Sequence, residues 1–233
     1  MKATPLPPLI AVVGCDGSGK STVTEVLRDW LAETRPAQIC HLGKQSGNIG
    51  RQIARLPMFG RKLDKSIHSR AQKAQTDKGP GLATALVIYG FSMRRVRRFA
   101  RMMRLRRAGN TIIADRFPQL KVPGPMDGLG LAGASDSGPV GVLKRMEYRR
   151  YAAMVANRPD LVIRLNVSLE VALARKPDHR PSSLARKVAD VPRLTFEGAP
   201  IVDISADQPL EQVLAQAKAA ITAKLIELGS PAA

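Results

Sequence analysis

The sequence predicts an α/β fold built on a mostly parallel sheet, and three observations predict it. Short, continuously apolar runs such as Leu9-Ile10-Ala11-Val12-Val13 alternate with segments of helical spacing, and a run apolar throughout marks a strand covered on both faces. The chain has 233 residues, 44% of them hydrophobic, enough for one large domain to bury a core without a disulfide or metal staple. A glycine-rich turn joins the first apolar run to the first helical segment. Strands separated by helices form parallel sheets, whose ligands bind beyond the strands' carboxyl ends.

Each element follows in order. The strand at 9–13 leads to a helix over about 20–33, which Pro36 stops. A second strand is predicted at 37–42, and 43–80 is glycine-rich and basic with no clear period. A long helix spans roughly 82–108 and ends at Gly109-Asn110. Val96, Phe99, Ala100 and Met103 give it one face for the sheet, and arginines cover the rest. Thr111-Ile112-Ile113-Ala114 is the third strand and runs into Asp115-Arg116. Residues 117–141 carry enough Gly and Pro to form a long loop, a feature that in compact domains is functional or mobile. A helix at about 142–157 precedes the fourth strand, Leu161-Val162-Ile163-Arg164-Leu165. Then come a short helix at 169–174, a polar basic stretch at 175–183, a helix to about 191 and the fifth strand, Ile201-Val202-Asp203-Ile204. Pro209 falls in the first turn of a last helix, where Leu210, Val213, Leu214, Ala217, Ile221 and Leu225 repeat at helical spacing. No internal repeat divides the chain, so a single domain over 1–233 is expected.

Composition narrows the function classes. Cys15 and Cys40 are too few for a disulfide framework and suit a reducing cytoplasm. No apolar run reaches the roughly 18 residues of a membrane span, and the prolines of Met1-Lys2-Ala3-Thr4-Pro5-Leu6-Pro7-Pro8 stand where a signal peptide needs an apolar helix. The three histidines are scattered and the cysteines are not at ligand spacing, so no zinc site is visible. Lys and Arg number 37 against 19 Asp and Glu, a net +18 that is either a solvated basic surface or a preference for polyanionic partners. Aromatic residues are only 4%, which argues against stacking of single-stranded bases.

Gly14-Cys15-Asp16-Gly17-Ser18-Gly19-Lys20-Ser21-Thr22 fits the phosphate-loop pattern G-x-x-x-x-G-K-[ST] between a strand and a helix. Gly14, Gly17 and Gly19 let the backbone curl so that its N–H groups, with that of Ser18, point at phosphate oxygens. Lys20 would neutralise the β- and γ-phosphates of ATP, Ser21 and Thr22 open the helix whose dipole faces them, and Ser21 would ligate Mg²⁺. Cys15 is a small residue at a variable position of the loop; a helix N-terminus lowers a thiol pKa, so a reactive thiol is the competing reading. Asp115, ending an apolar strand downstream of such a loop, suits the second carboxylate that holds Mg²⁺ or orients the attacking group, and Arg116 beside it suits a phosphate clamp.

These stretches resemble the thymidylate kinase family of nucleoside monophosphate kinases. The phosphate loop is similar to that family's G-x-D-G-x-G-K-S-T, and the resemblance implies that Asp16 contacts the acceptor sugar. Asp115-Arg116-Phe117 resembles its D-R-Y/H, in which the arginine grips the acceptor phosphate. Arg94 falls at the spacing of an arginine lining the acceptor pocket. The segment from Arg158-Pro159-Asp160 through Val171-Ala172-Leu173-Ala174-Arg175 resembles R-P-D-L-x-x-x-L-x-V-x-x-E-x-A-L-x-R, whose last arginine packs on the adenine; here that is Arg175. Asp203-Ile204-Ser205-Ala206-Asp207-Gln208-Pro209-Leu210-Glu211 is similar to the family's final strand, adenine-side loop and helix. The resemblance implies a P-loop kinase fold with a five-stranded sheet, ATP and Mg²⁺ as cofactors, a lid at about 175–187 and, as in related kinases, a homodimer. Within the lid, Arg180 is the candidate clamp on the transferring phosphoryl group and Lys176 the second, against a solvated loop; His179 reads as a polar loop residue.

Two departures fall on the acceptor side. His41-Leu42-Gly43-Lys44 stands where the family has E-P-G-G, and Pro118-Gln119-Leu120-Lys121-Val122-Pro123-Gly124-Pro125-Met126-Asp127-Gly128 replaces S-x-x-A-Y-Q. The expected activity is therefore ATP-dependent phosphoryl transfer to a small acceptor: a nucleoside monophosphate, with dTMP to dTDP the in-family version, or another phosphate- or hydroxyl-bearing compound. A GTPase needs an N-K-x-D-like motif, and the nearest matches, Arg61-Lys62-Leu63-Asp64 and Arg175-Lys176-Pro177-Asp178, both begin with Arg. The non-enzymatic alternative is a nucleotide- and polyanion-binding module, associated with nucleic acid or acidic polysaccharide. For the basic helix 94–107 three readings stay open: a solvated face, a docking surface for an acidic partner or membrane, or part of an enlarged anionic acceptor site.

Overall fold

The computed structural model describes residues 6–43 and 79–229; the basic segment 44–78, with Arg61-Lys62-Leu63-Asp64, lies outside them. Five strands form the sheet: β1 (Leu9–Gly14), β2 (Ala37–His41), β3 (Thr111–Asp115), β4 (Leu161–Asn166) and β5 (Ile201–Ser205). Their order is β2-β3-β1-β4-β5 and every pairing is parallel. The apolar runs fit the order: β1 is buried at all six positions and takes the centre, whereas β2 is buried only at Ala37 and Cys40 and takes an edge.

The helices are α1 (Lys20–Ala32), α2 (Leu82–Arg107), α3 (Gly138–Val155), α4 (Leu169–Arg175), α5 (Pro181–Asp190) and α6 (Leu210–Glu227). α1 and α6 pack on each other and on the sheet, with Lys218 Nζ of α6 5.3 Å from the centre of the Trp30 ring of α1. α2 packs on β2, β3 and α3. Pro209 is the residue before α6 rather than part of its first turn.

Two further expectations are corrected. α3 starts at Gly138, not 142, because Pro139 presets the backbone of a first helical turn. The inner face of α2 is also not the one its apolar spacing suggests: Ala100 is exposed and Val96 only partly buried, while Ser92, Arg95, Phe99, Met102, Met103 and Arg106 are buried. Two arginines go inside because each has its acceptors there. Arg106 donates to the Asp160 carboxylate (2.7 Å) and the Pro7 carbonyl (2.6 Å), and Asp160 also accepts from the Leu9 N–H (2.7 Å). Asp160 of the R-P-D stretch thus ties the start of β1 to the end of α2.

The long loop between β3 and α3 is not a loose flap. Phe117, Gln119, Val122, Met126 and Leu131 are buried. Gln119 bonds through its amide to the Val122 and Met126 carbonyls and to the Val122 N–H. Buried Glu147 of α3 accepts from Ser92 of α2 and from the N–H groups of Gly130 and Leu131. Gly128 is required: a Cβ there would lie 1.9 Å from the Val122 carbonyl oxygen.

Candidate functional site

The turn from β1 to α1 lies at the carboxyl edge of the central strand, between β3 and β4. Gly17 (φ 87°) and Gly19 (φ 79°) take the left-handed backbone that curls the loop, and a Cβ on Gly14 would meet Ser18 Oγ at 2.6 Å. Lys20 is buried and its ammonium donates to the Cys15 carbonyl inside the loop (2.6 Å). Burial pulls its pKa down to about 8, and the neighbouring Arg116 adds to the fall, against the opposing pull of Asp16 and Asp115. The direct partner of this ammonium in the cradle is thus a neutral carbonyl, not a carboxylate. Ser21 and Thr22 are exposed in the first turn of α1. Cys15 is buried, and that burial raises its thiol pKa, so it is not a reactive thiolate.

Asp16 is the electrostatic hub. Its carboxylate is bonded by Lys187 of α5 (2.5 Å) and by Arg116 (3.1 Å), with His179 Nε2 3.7 Å away. Burial pushes its pKa up, but Lys187, Arg116 and Lys20 together hold it down at about 2.

Asp115 ends β3 beside the loop. Its Oδ2 is bonded to His41 Nδ1 at 2.9 Å, while its Oδ1 is buried with no hydrogen-bond partner. An orphaned carboxylate oxygen of this kind fits a Mg²⁺ ion or its water. Among the described residues no group of three His, Cys, Asp or Glu side chains could hold a metal by itself.

Arg116 has a left-handed backbone (φ 70°), unusual for a side-chain-bearing residue. Its N–H donates to the Val12 carbonyl (3.0 Å), and its guanidinium faces Asp16 and Asp127, the latter at 3.7 Å. The charge of Asp127 raises the Arg116 pKa most, ahead of the opposing effect of burial. Asp127 is itself held by Arg95, whose three guanidinium nitrogens reach the Leu42 carbonyl (2.7 Å), the Asp127 carbonyl (2.7 Å), the Tyr151 hydroxyl (3.1 Å) and the Asp127 carboxylate.

Of the sequence candidates, the loop residues, Asp115 and Arg116 come together in one site. Arg175 joins them from α4, donating to the Gly17 (3.1 Å) and Ala206 (2.9 Å) carbonyls and so linking the loop to the turn after β5. Arg180 is exposed at the start of α5, and Arg94 is half-buried on α2 beside Arg98. Sequence reasoning missed Lys187, His41, Arg95 and Asp127. Two of them had a signal: Lys187 closes the expected lid stretch, and His41 stands where a resembling family carries an acid.

No family model matches the chain. It is 40% identical over 223 residues, 93% of either chain, to the uncharacterised ATP-binding protein YghS of Escherichia coli. It is also 37% identical over 221 residues, 93% of this chain and 88% of the other, to YghR of the same organism. The chain belongs to their family. That family is P-loop and nucleotide kinase-like. A probable thymidylate kinase of Pyrobaculum aerophilum is 27% identical over 205 residues, 84% of this chain and 88% of that one. A deoxyadenosine kinase of M. mycoides, solved with dATP, superposes with a TM-score of 0.51 at 14% identity over 91% of this chain and 97% of that one. The last likeness establishes the fold, a P-loop kinase fold. No helix among the described residues is long and apolar enough to cross a membrane.

Proposed function

We propose that the protein is an ATP-dependent phosphotransferase that moves the γ-phosphoryl group of ATP to a small acceptor. The observation that carries this reading is the phosphate loop's buried Lys20, bonded to a neutral carbonyl, together with Asp115, whose Oδ1 lacks a partner. Gly14 to Thr22 would cradle the phosphates with backbone N–H groups, and Lys20 would exchange the Cys15 carbonyl for a phosphate oxygen. Arg175 would stand on the adenine side and Arg116 beside the phosphoryl group in transit. Ser21 and Asp115 would hold Mg²⁺, which supplies charge neutralisation across the β- and γ-oxygens when bound. Arg180, with Lys176 near it, would close from the 175–187 segment as the lid clamp, excluding water. Asp16, Arg94 and Arg116 would line the acceptor side. A nucleoside monophosphate, dTMP by the family likeness, or another phosphate- or hydroxyl-bearing compound would be the acceptor.

The cytoplasm suits two buried free thiols. The competing reading is a nucleotide- and polyanion-binding module, favoured by Arg97, Arg101, Arg104 and Arg107, which stand exposed along α2 and suit an acidic partner. Measurement of ADP formation from Mg·ATP across nucleotides, nucleosides, sugars and sugar phosphates tests the two. A kinase gives acceptor-stimulated turnover that Lys20→Ala abolishes while the melting transition survives. Tight ATP binding without turnover, joined to steeply salt-dependent polyanion binding, would establish the module instead.

A further inference from the structure

We propose that the exposed face of α2, with α3 beside it, docks the protein on an anionic lipid surface, whichever activity the phosphate loop serves. α2 changes character half-way along. Residues 82–93 carry no charge, whereas 94–107 hold eight arginines and no acid. Both halves show on one side: at about 3.6 residues per turn Leu82, Leu86, Gly90, Arg97, Arg101 and Arg104 share a stripe, and all six are exposed. Leu82, Leu86 and Val87 are 46%, 51% and 43% exposed, so the apolar half lies open. Arg95 and Arg106, the buried arginines of α2, have Asp127 and Asp160 as counter-ions; among the described residues Arg97, Arg101, Arg104 and Arg107 have none.

α3 extends this surface. Ala85 packs near Val140 and Leu143, Ser92 bonds Glu147 and Arg95 bonds Tyr151, so the two helices run parallel with their starts together. Val142 and Met146 are 46% and 40% exposed at that end, and Arg145, Arg149 and Arg150 are exposed along the same helix. The acids on and beside α3 are engaged: Glu147 is buried among Ser92, Gly130 and Leu131, and Asp136 pairs with Lys144 (2.8 Å). The charge that remains is cationic.

This pairing of chemistries selects the occupant. A nucleic acid would engage the arginines and leave the leucines in water. A second copy laid along α2 would set arginine on arginine in a parallel pairing and leucine on arginine in an antiparallel one. A bilayer surface offers phosphate headgroups and acyl chains within a few ångströms of each other, so both halves find their partner at once. The arginines can lay their stems on the apolar boundary and keep their guanidinium groups at the headgroups. No helix among the described residues can cross the bilayer, so the attachment is peripheral. Arg95 and Arg98 bond the Leu42 and Gly43 carbonyls at the end of β2, and Arg106 bonds the Pro7 carbonyl before β1. The apolar half of α2 therefore projects past the carboxyl edge of the sheet, and docking turns the edge that holds the phosphate loop toward the membrane.

Flotation of the full chain with lipid vesicles tests this. Phosphatidylcholine vesicles containing roughly one-third phosphatidylglycerol should carry the protein, and vesicles of phosphatidylcholine alone should not. Replacing Arg97, Arg101, Arg104 and Arg107 together by Gln should weaken the partition at least about a hundredfold, each charge contributing about fivefold. Leu82→Gln with Leu86→Gln should weaken it about tenfold while its salt dependence stays. Both sets of positions are exposed, and an unchanged thermal midpoint shows that the variants fold. Failure to float with anionic vesicles would overturn the proposal. Flotation that the leucine variant leaves unchanged would overturn it too, since charge alone would then account for the attraction. Tighter binding of a DNA or RNA oligonucleotide than of vesicles, or a dimer in sedimentation that the leucine variant dissociates, would give the face to another occupant.

Discussion

Lys187→Met should uncouple α5 from the phosphate loop, and the structure sets the size of the effect. The Asp16 carboxyl lies at about 2 in place of 3.8; burial works against this, and the hydrogen bond and charge of Lys187 do most to reverse it, ahead of Arg116 and Lys20. The folded protein therefore sheds this proton more readily than the unfolded chain. The resulting stabilisation is complete above the unfolded value and is lost as pH falls from 3.8 through about 2. The shift corresponds to about 2 kcal/mol at neutral pH, of which about half is left at pH 3. Methionine keeps the packed stem of Lys187 and removes only the ammonium. The variant should lose about 1–2 kcal/mol at pH 7 and roughly half as much at pH 3. Urea unfolding at both pH values measures this, and a double-mutant cycle with Asp16→Asn isolates the pair. A loss that is equal at both pH values, or that persists in the Asp16→Asn background, would refute the assignment of the stabilisation to this contact.

Two further outcomes follow from the geometry. Gly128→Ala places a Cβ 1.9 Å from a backbone oxygen, so the β3–α3 segment must shift; the expected cost is about 1–3 kcal/mol, read as a lowered thermal midpoint with nucleotide-analogue binding retained. Cys15 should resist a thiol reagent in the native protein and react once urea unfolds it, since burial both shields the sulfur and raises its pKa. Rapid native labelling at Cys15, followed by peptide mapping, would contradict that.

The centre of the sheet was legible because β1 and β3 are apolar on both faces, and Leu9-Ile10-Ala11-Val12-Val13 needs no partner to be read that way. The phosphate loop was legible because its chemistry is local: nine consecutive residues contain the curl, the ammonium and the helix start. What escaped reading depends on partners far along the chain. Lys187 meets Asp16 across 171 positions and His41 meets Asp115 across 74, the second only because β2 and β3 are neighbours in register. Arg95 escaped for another reason. An arginine among arginines on α2 reads as solvated surface, and nothing in the helical period marks the one whose carbonyl and carboxylate acceptors lie inside. Ala100 misled in the opposite direction, being small enough to sit on either face.

The Arg95–Asp127 pair has a consequence for how such a chain can diverge. Replacing either residue alone leaves the other as a buried charge without its counterpart, whereas replacing both by apolar or neutral groups of similar volume carries no such penalty. The two positions, 32 apart in sequence, are thus bound to change in step.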